Sequence, residues 1–219
     1  MTIVVGALLA ATVMDVALAQ NYPPAGAGIA RTPHDSRLWQ PGGQTQLCVM
    51  CHAPHTARTE GALWNRTMSS PAYALYGLSS ITDVPSQPGA VSRVCLSCHD
   101  GTLGVDAFRN VAGSFRPDTS TASAGSTLSS GHPYGITYDT TFAIRDQSLA
   151  DPETTLVTVG ASTSAHKSGT VASMMLVGGK IECTSCHDVH NRYTAGSNAK
   201  GLVKVSLEHS SLCLKCHTK

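Results

Sequence analysis

Cys48-Val49-Met50-Cys51-His52-Ala53-Pro54-His55 puts one histidine directly after a pair of cysteines and a second one three residues further on. The arrangement recurs at Cys183-Thr184-Ser185-Cys186-His187-Asp188-Val189-His190, with the second histidine at the same offset. Two more pairs, Cys95/Cys98 and Cys213/Cys216, are each followed at once by a histidine, His99 and His217. All 8 cysteines of the chain lie in these pairs.

Three chemistries use Cys-x-x-Cys. An exported chain can close disulfides. Zinc sites use such pairs as ligands. Covalent c-type haem uses Cys-x-x-Cys-His. The histidines decide between them, because neither disulfides nor zinc demand His at the next position. Histidine is scarce, 10 in 219 residues, yet it follows every pair. On a helical turn, positions i, i+3 and i+4 share a face. Cys48, Cys51 and His52 then point the same way, so two thiols can bond one porphyrin while the imidazole reaches its iron. The expectation is four covalently bound haem c groups. Attachment falls to Cys48, Cys51, Cys95, Cys98, Cys183, Cys186, Cys213 and Cys216, with proximal ligands His52, His99, His187 and His217.

The composition agrees. Only 5% of residues are aromatic and 13% charged, so the chain is short of bulky core material that four apolar porphyrin faces could replace. The formal net charge of +1 gives no case for a nucleic-acid partner. Eight ionised propionates would add about −8.

Each iron needs a second axial ligand. Met50 lies inside a motif and cannot turn back; Met68, Met174 and Met175 read as packing. Six histidines remain, and an internal repeat sorts them. Each half of the chain has a CxxCHxxH, then a Cys-Leu-x-Cys-His, and one isolated upstream histidine: His34 in the first half, His132 in the second. The distal set is therefore His34, His55, His132 and His190. His166 and His209 have no counterpart and read as solvated. His55 stays on the same side of the porphyrin as His52, so it cannot cap the opposite face; it must serve a different haem, as must His190.

Ile3 to Met14 is an apolar run of signal-peptide length, with Ala17-Leu18-Ala19 as a small-residue cleavage site. Residues 1–19 are read as a signal peptide, and the mature chain as exported and without a membrane span. Residues 20–47, rich in Pro and Gly, form an extended arm carrying His34. Residues 48–117 and 132–219 are two two-haem halves, joined by a polar linker at 118–131. Short helices are expected at 71–82 and 92–105, and strand character at 154–159 and 202–206. The fold class is mostly coil with short helices and few short strands, wrapped around a chain of four haems. Trp39 and Trp64 read as packing, Arg66 as a candidate propionate partner, and Asn65-Arg66-Thr67 as a glycosylation sequon.

Further pieces carry a resemblance: His34-Asp35, Leu63-Trp64-Asn65-Arg66, VCLSCHDGT at Val94 to Thr102, Gly131-His132-Pro133, CHDVHN at Cys186 to Asn191, and LCLKCH ending at His217. In this order the sequence resembles tetrahaem c-type cytochromes, above all OmcE-like subunits of extracellular cytochrome filaments. That resemblance implies four bis-histidine haems in a row, continued through stacked copies in a homopolymer. It also implies that His34 ligates a haem of the adjacent subunit.

The expected function is electron transfer, not enzymatic catalysis, by a secreted filament subunit passing electrons between redox partners and extracellular acceptors. Two nitrogen ligands per iron leave no open site, and the absence of a Met ligand keeps the potential low. A monomeric periplasmic shuttle is the alternative. A multihaem reductase would need one five-coordinate iron.

Overall fold

The computed structural model describes residues 27–39, 45–55, 63–77, 81, 84–107, 113–115, 124–129, 131–160, 166–194 and 201–219. All eight cysteines and all ten histidines fall within them. The expected signal peptide lies outside.

The described chain is mostly coil, with a few short helices and two small two-stranded sheets. In chain order the elements are β1 (Ala74–Leu75), α1 (Ala90–His99), β2 (Thr127–Leu128), α2 (Thr140–Arg145), β3 (Leu156–Val159), β4 (Lys167–Thr170), α3 (Val171–Met174) and α4 (Cys183–Cys186). Strands β1 and β2 pair in parallel, Ala74 opposite Thr127. Strands β3 and β4 form an antiparallel hairpin, Leu156 opposite Thr170. No helix among the described residues is long and apolar enough to cross a membrane.

The helix expected at 92–105 is present but shifted, and it stops at His99. Asp100 N–H closes onto the Leu96 carbonyl, and Gly101 follows at φ 75°, a left-handed conformation that costs glycine little. Over the described part of the stretch where a helix was expected, residues 71–77 and 81, no helix forms: Pro71 and Gly77 break it, and Ala74–Leu75 pairs with β2 instead. Strand β2 lies inside the stretch read as linker, and Leu128 is buried against Tyr73 and Leu96. The strand expected at 154–159 is β3; its alternating exposure buries Val157 and Val159. Of residues 202–206, only Val203 makes a β-bridge, to His187.

Among the described residues, buried apolar side chains gather in two small clusters. One gathers Tyr138, Ala143, Val157, Val159, Val171, Met175 and Val205 in the second half. The other is Tyr73, Leu96 and Leu128 in the first. Between the halves, Ser92 on α1 donates to the Glu182 carboxylate and accepts from Cys183 N–H at 3.0 Å. That ties α1 to the start of α4.

The N-terminal arm is docked. Asp35 is fully buried and accepts from Arg31 N–H at 2.7 Å and Arg37 N–H at 3.2 Å. The Arg37 guanidinium grips both its oxygens at 2.8 and 2.7 Å. Asn191 reaches the arm from the second half, donating to the Gly28 carbonyl at 3.0 Å.

Candidate haem-attachment sites

Each Cys-x-x-Cys-His is one helical turn. In motifs 1, 3 and 4 the histidine N–H donates to the first cysteine's carbonyl: His52 to Cys48 at 2.8 Å, His187 to Cys183 at 3.1 Å, His217 to Cys213 at 2.9 Å. Motif 2 is the last turn of α1. Both cysteines and the histidine of a motif therefore share a face.

In three motifs the histidine is also clamped by an antiparallel bridge: His52 with Trp64, His187 with Val203, His217 with Leu149. The hydrogen bonds repeat. Asn65 N–H donates to Cys51 O at 3.0 Å and Ala53 N–H to Leu63 O at 2.8 Å. Likewise Lys204 donates to Cys186 at 2.8 Å and Asp188 to Leu202 at 2.7 Å. Around motif 4, Ala150 donates to Cys216 and Thr218 to Ser148, both at 2.9 Å. Leu63 and Leu202 even share a positive φ, 55° and 50°. The two CxxCHxxH units are thus the same local structure. Cysteine spacing did not reveal these return segments, and LWN against LVK is too weak a likeness to suggest them.

All eight cysteines are free thiols. Among the described residues no three His, Cys, Asp or Glu side chains gather as a metal centre, so the pairs do not combine into a zinc-type cluster. Motifs adjacent in sequence adjoin in space. Cys95 and Cys183 share a hydrogen bond that pushes the first thiol up and the second down, to about 7. Burial pushes Cys51, which has Cys98 as a neighbour, and Cys216, which has Cys186, each up to about 11.

Three of the four distal candidates lie near motif histidines. His190 faces His52 with ring centres 6.2 Å apart and planes 16° from parallel. His34 meets His99 at 5.8 Å, and His132 meets His217 at 6.4 Å. Two imidazoles ligating one iron from opposite sides have ring centres about 6 Å apart, given a metal–nitrogen bond of about 2.0 Å. The three pairs fit that spacing. Burial first, then the nearby His99, His187 and His190, lowers the His34 pKa to about 4, so the ring is neutral at pH 7 and able to ligate a metal. His34 Nδ1 is buried with no protein partner. His190 is also shifted down, by burial and then Arg192.

His55 and His187 lie at the surface, each in its CxxCHxxH segment. His187 Nδ1 meets the Gly201 carbonyl at 2.9 Å, so a ligand role would fall to Nε2. His166 and His209 are exposed, as read from the sequence. Arg66 is wholly buried, and its terminal nitrogens donate to the carbonyls of Val105, Gly104 and Ser97. Only Nε remains for a propionate. Trp64 packs edge-on to His52 at 6.1 Å, its buried Nε1 also without a partner.

No protein-family model matches the chain, and no curated protein matches its sequence.

Proposed function

We propose that this protein is an exported, non-enzymatic electron carrier that holds four covalent haem c groups. The observation that carries the reading is the set of three histidine pairs, each joining a motif histidine to a histidine of another segment at bis-ligand spacing. The paired cysteines would hold the porphyrins through thioethers, and the haems would supply reversible one-electron chemistry. The protein's part is to fix the ligands. The bridged turns orient His52, His187 and His217, and the Gly201 carbonyl fixes the His187 tautomer. His34 is held by the Asp35-centred knot of hydrogen bonds. Trp64 Nε1 and Arg66 Nε are buried donors suited to a propionate.

Two assemblies compete. The filament of stacked copies rests on the family resemblance. A self-contained single-chain carrier is favoured by the seat of His34 on His99 of its own chain. Two experiments test these readings. A pyridine haemochrome assay on protein made in a c-type maturation host is expected to give four haems per chain, all low-spin by EPR. A count below four would refute the tetrahaem reading. Negative-stain microscopy of secreted material decides the assembly; discrete particles under every condition would remove the filament.

A further inference from the structure

The two CxxCHxxH units are structural duplicates, from the turn at the cysteines to the return bridge and its left-handed leucine. One contact joins them: His190, the trailing histidine of the second unit, faces His52, the leading histidine of the first. Two equal units in an isologous contact meet so that if i touches j, j's counterpart touches i's. The counterpart of His190 is His55, and the counterpart of His52 is His187. We infer that His55 supplies the sixth ligand to the iron held by His187 of the same chain, so that the first and third sites exchange ligands across a local pseudo-two-fold axis. His187 suits the role, because Gly201 occupies Nδ1 and leaves Nε2 for the metal.

The inference rests on the tetrahaem reading, and its test separates the two. Haem count per chain is measured first; fewer than four in the wild type would remove the underlying reading rather than the pairing. With four haems present, His55→Ala is expected to turn about a quarter of the iron from low-spin to high-spin by EPR. In a Cys183→Ala/Cys186→Ala background, which lacks the third haem, adding His55→Ala is expected to produce no new high-spin iron. His55→Met is the milder variant, expected to keep four low-spin haems with one potential raised. In dilute monomers His55→Ala is expected to open the same further quarter of the iron beyond whatever the wild type shows. The pairing is overturned if His55→Ala leaves every iron low-spin, or if it opens an iron in the background without the third haem. It is also overturned if, in dilute monomers, His55→Ala opens no more iron than the wild type already shows, since His55 would then come from another copy.

Discussion

Arg66 is enclosed completely, and its guanidinium gathers three backbone carbonyls from residues 97–105. Ser97 lies in the last turn of α1, and Gly104 and Val105 follow its end, so Arg66 sets how the chain leaves His99. Lysine cannot reproduce the fork. Arg66→Lys is expected to lower stability by about 3 kcal/mol, read as a shift in denaturant midpoint at constant slope. Asp35 makes the matching prediction in pH. The Arg37 side chain is the main cause that holds its carboxyl down, to about 2 from an ordinary 3.8. A carboxylate with a depressed folded pKa stabilises fully above its unfolded value and loses that contribution as pH falls through the folded one. The arm is therefore expected to undock between about pH 4 and pH 2, followed by Trp39 emission. Asp35→Asn should loosen it already at neutral pH, and an unchanged acid profile in that variant would refute the clamp. At this scale the four Cys-x-x-Cys-His turns were legible because their spacing is written into the sequence. The Arg66 partners were not, since a backbone carbonyl has no signature in residue type.

Among the elements, β3 was readable because three of its four residues, Val157, Thr158 and Val159, are β-branched. Its partner Lys-Ser-Gly-Thr was not, having no apolar face. Gly169 sits there for proximity: an added Cβ would stand 2.7 Å from Ser173 Oγ and 2.9 Å from Met174 Cγ. Gly169→Ala is expected to push α3 off the hairpin and to cost about 1–3 kcal/mol, seen as a lowered Tm. An unchanged Tm would mean that α3 is free to move. The same logic of close approach explains why the stretch at 71–82 misled. Its apolar spacing suits a helix, but a two-residue strand that buries Tyr73 beside Leu96 uses the same residues.

At the scale of the whole molecule, the two clusters of buried apolar side chains among the described residues, of three and seven members, are small. Folding entropy of about 1–2 kcal/mol per residue must be met by something else. Under the proposed function that is the haem faces. Chain expressed without haem maturation is then expected to show no cooperative calorimetric transition, and a sharp one would count against haem as the missing core. The loaded protein is expected to focus at markedly lower pH than the unloaded chain, by the about eight charges of its propionates. The long-range contacts of Ser92 with Glu182 and of Asn191 with the arm were not legible, because one joins a serine to a carboxylate 90 residues away and the other ends on the backbone carbonyl of Gly28.

The bridges on the motif histidines also set a timetable. Trp64 follows His52 after a short loop, and Val203 follows His187 in the same way, whereas Leu149 precedes His217 by a long stretch. Closing a loop costs more the longer it is, and a bridge cannot close until both its sides have been made. As the chain emerges from the amino end, the first and third histidines can be clamped soon after they appear. The last must wait, and then dock onto a segment already folded.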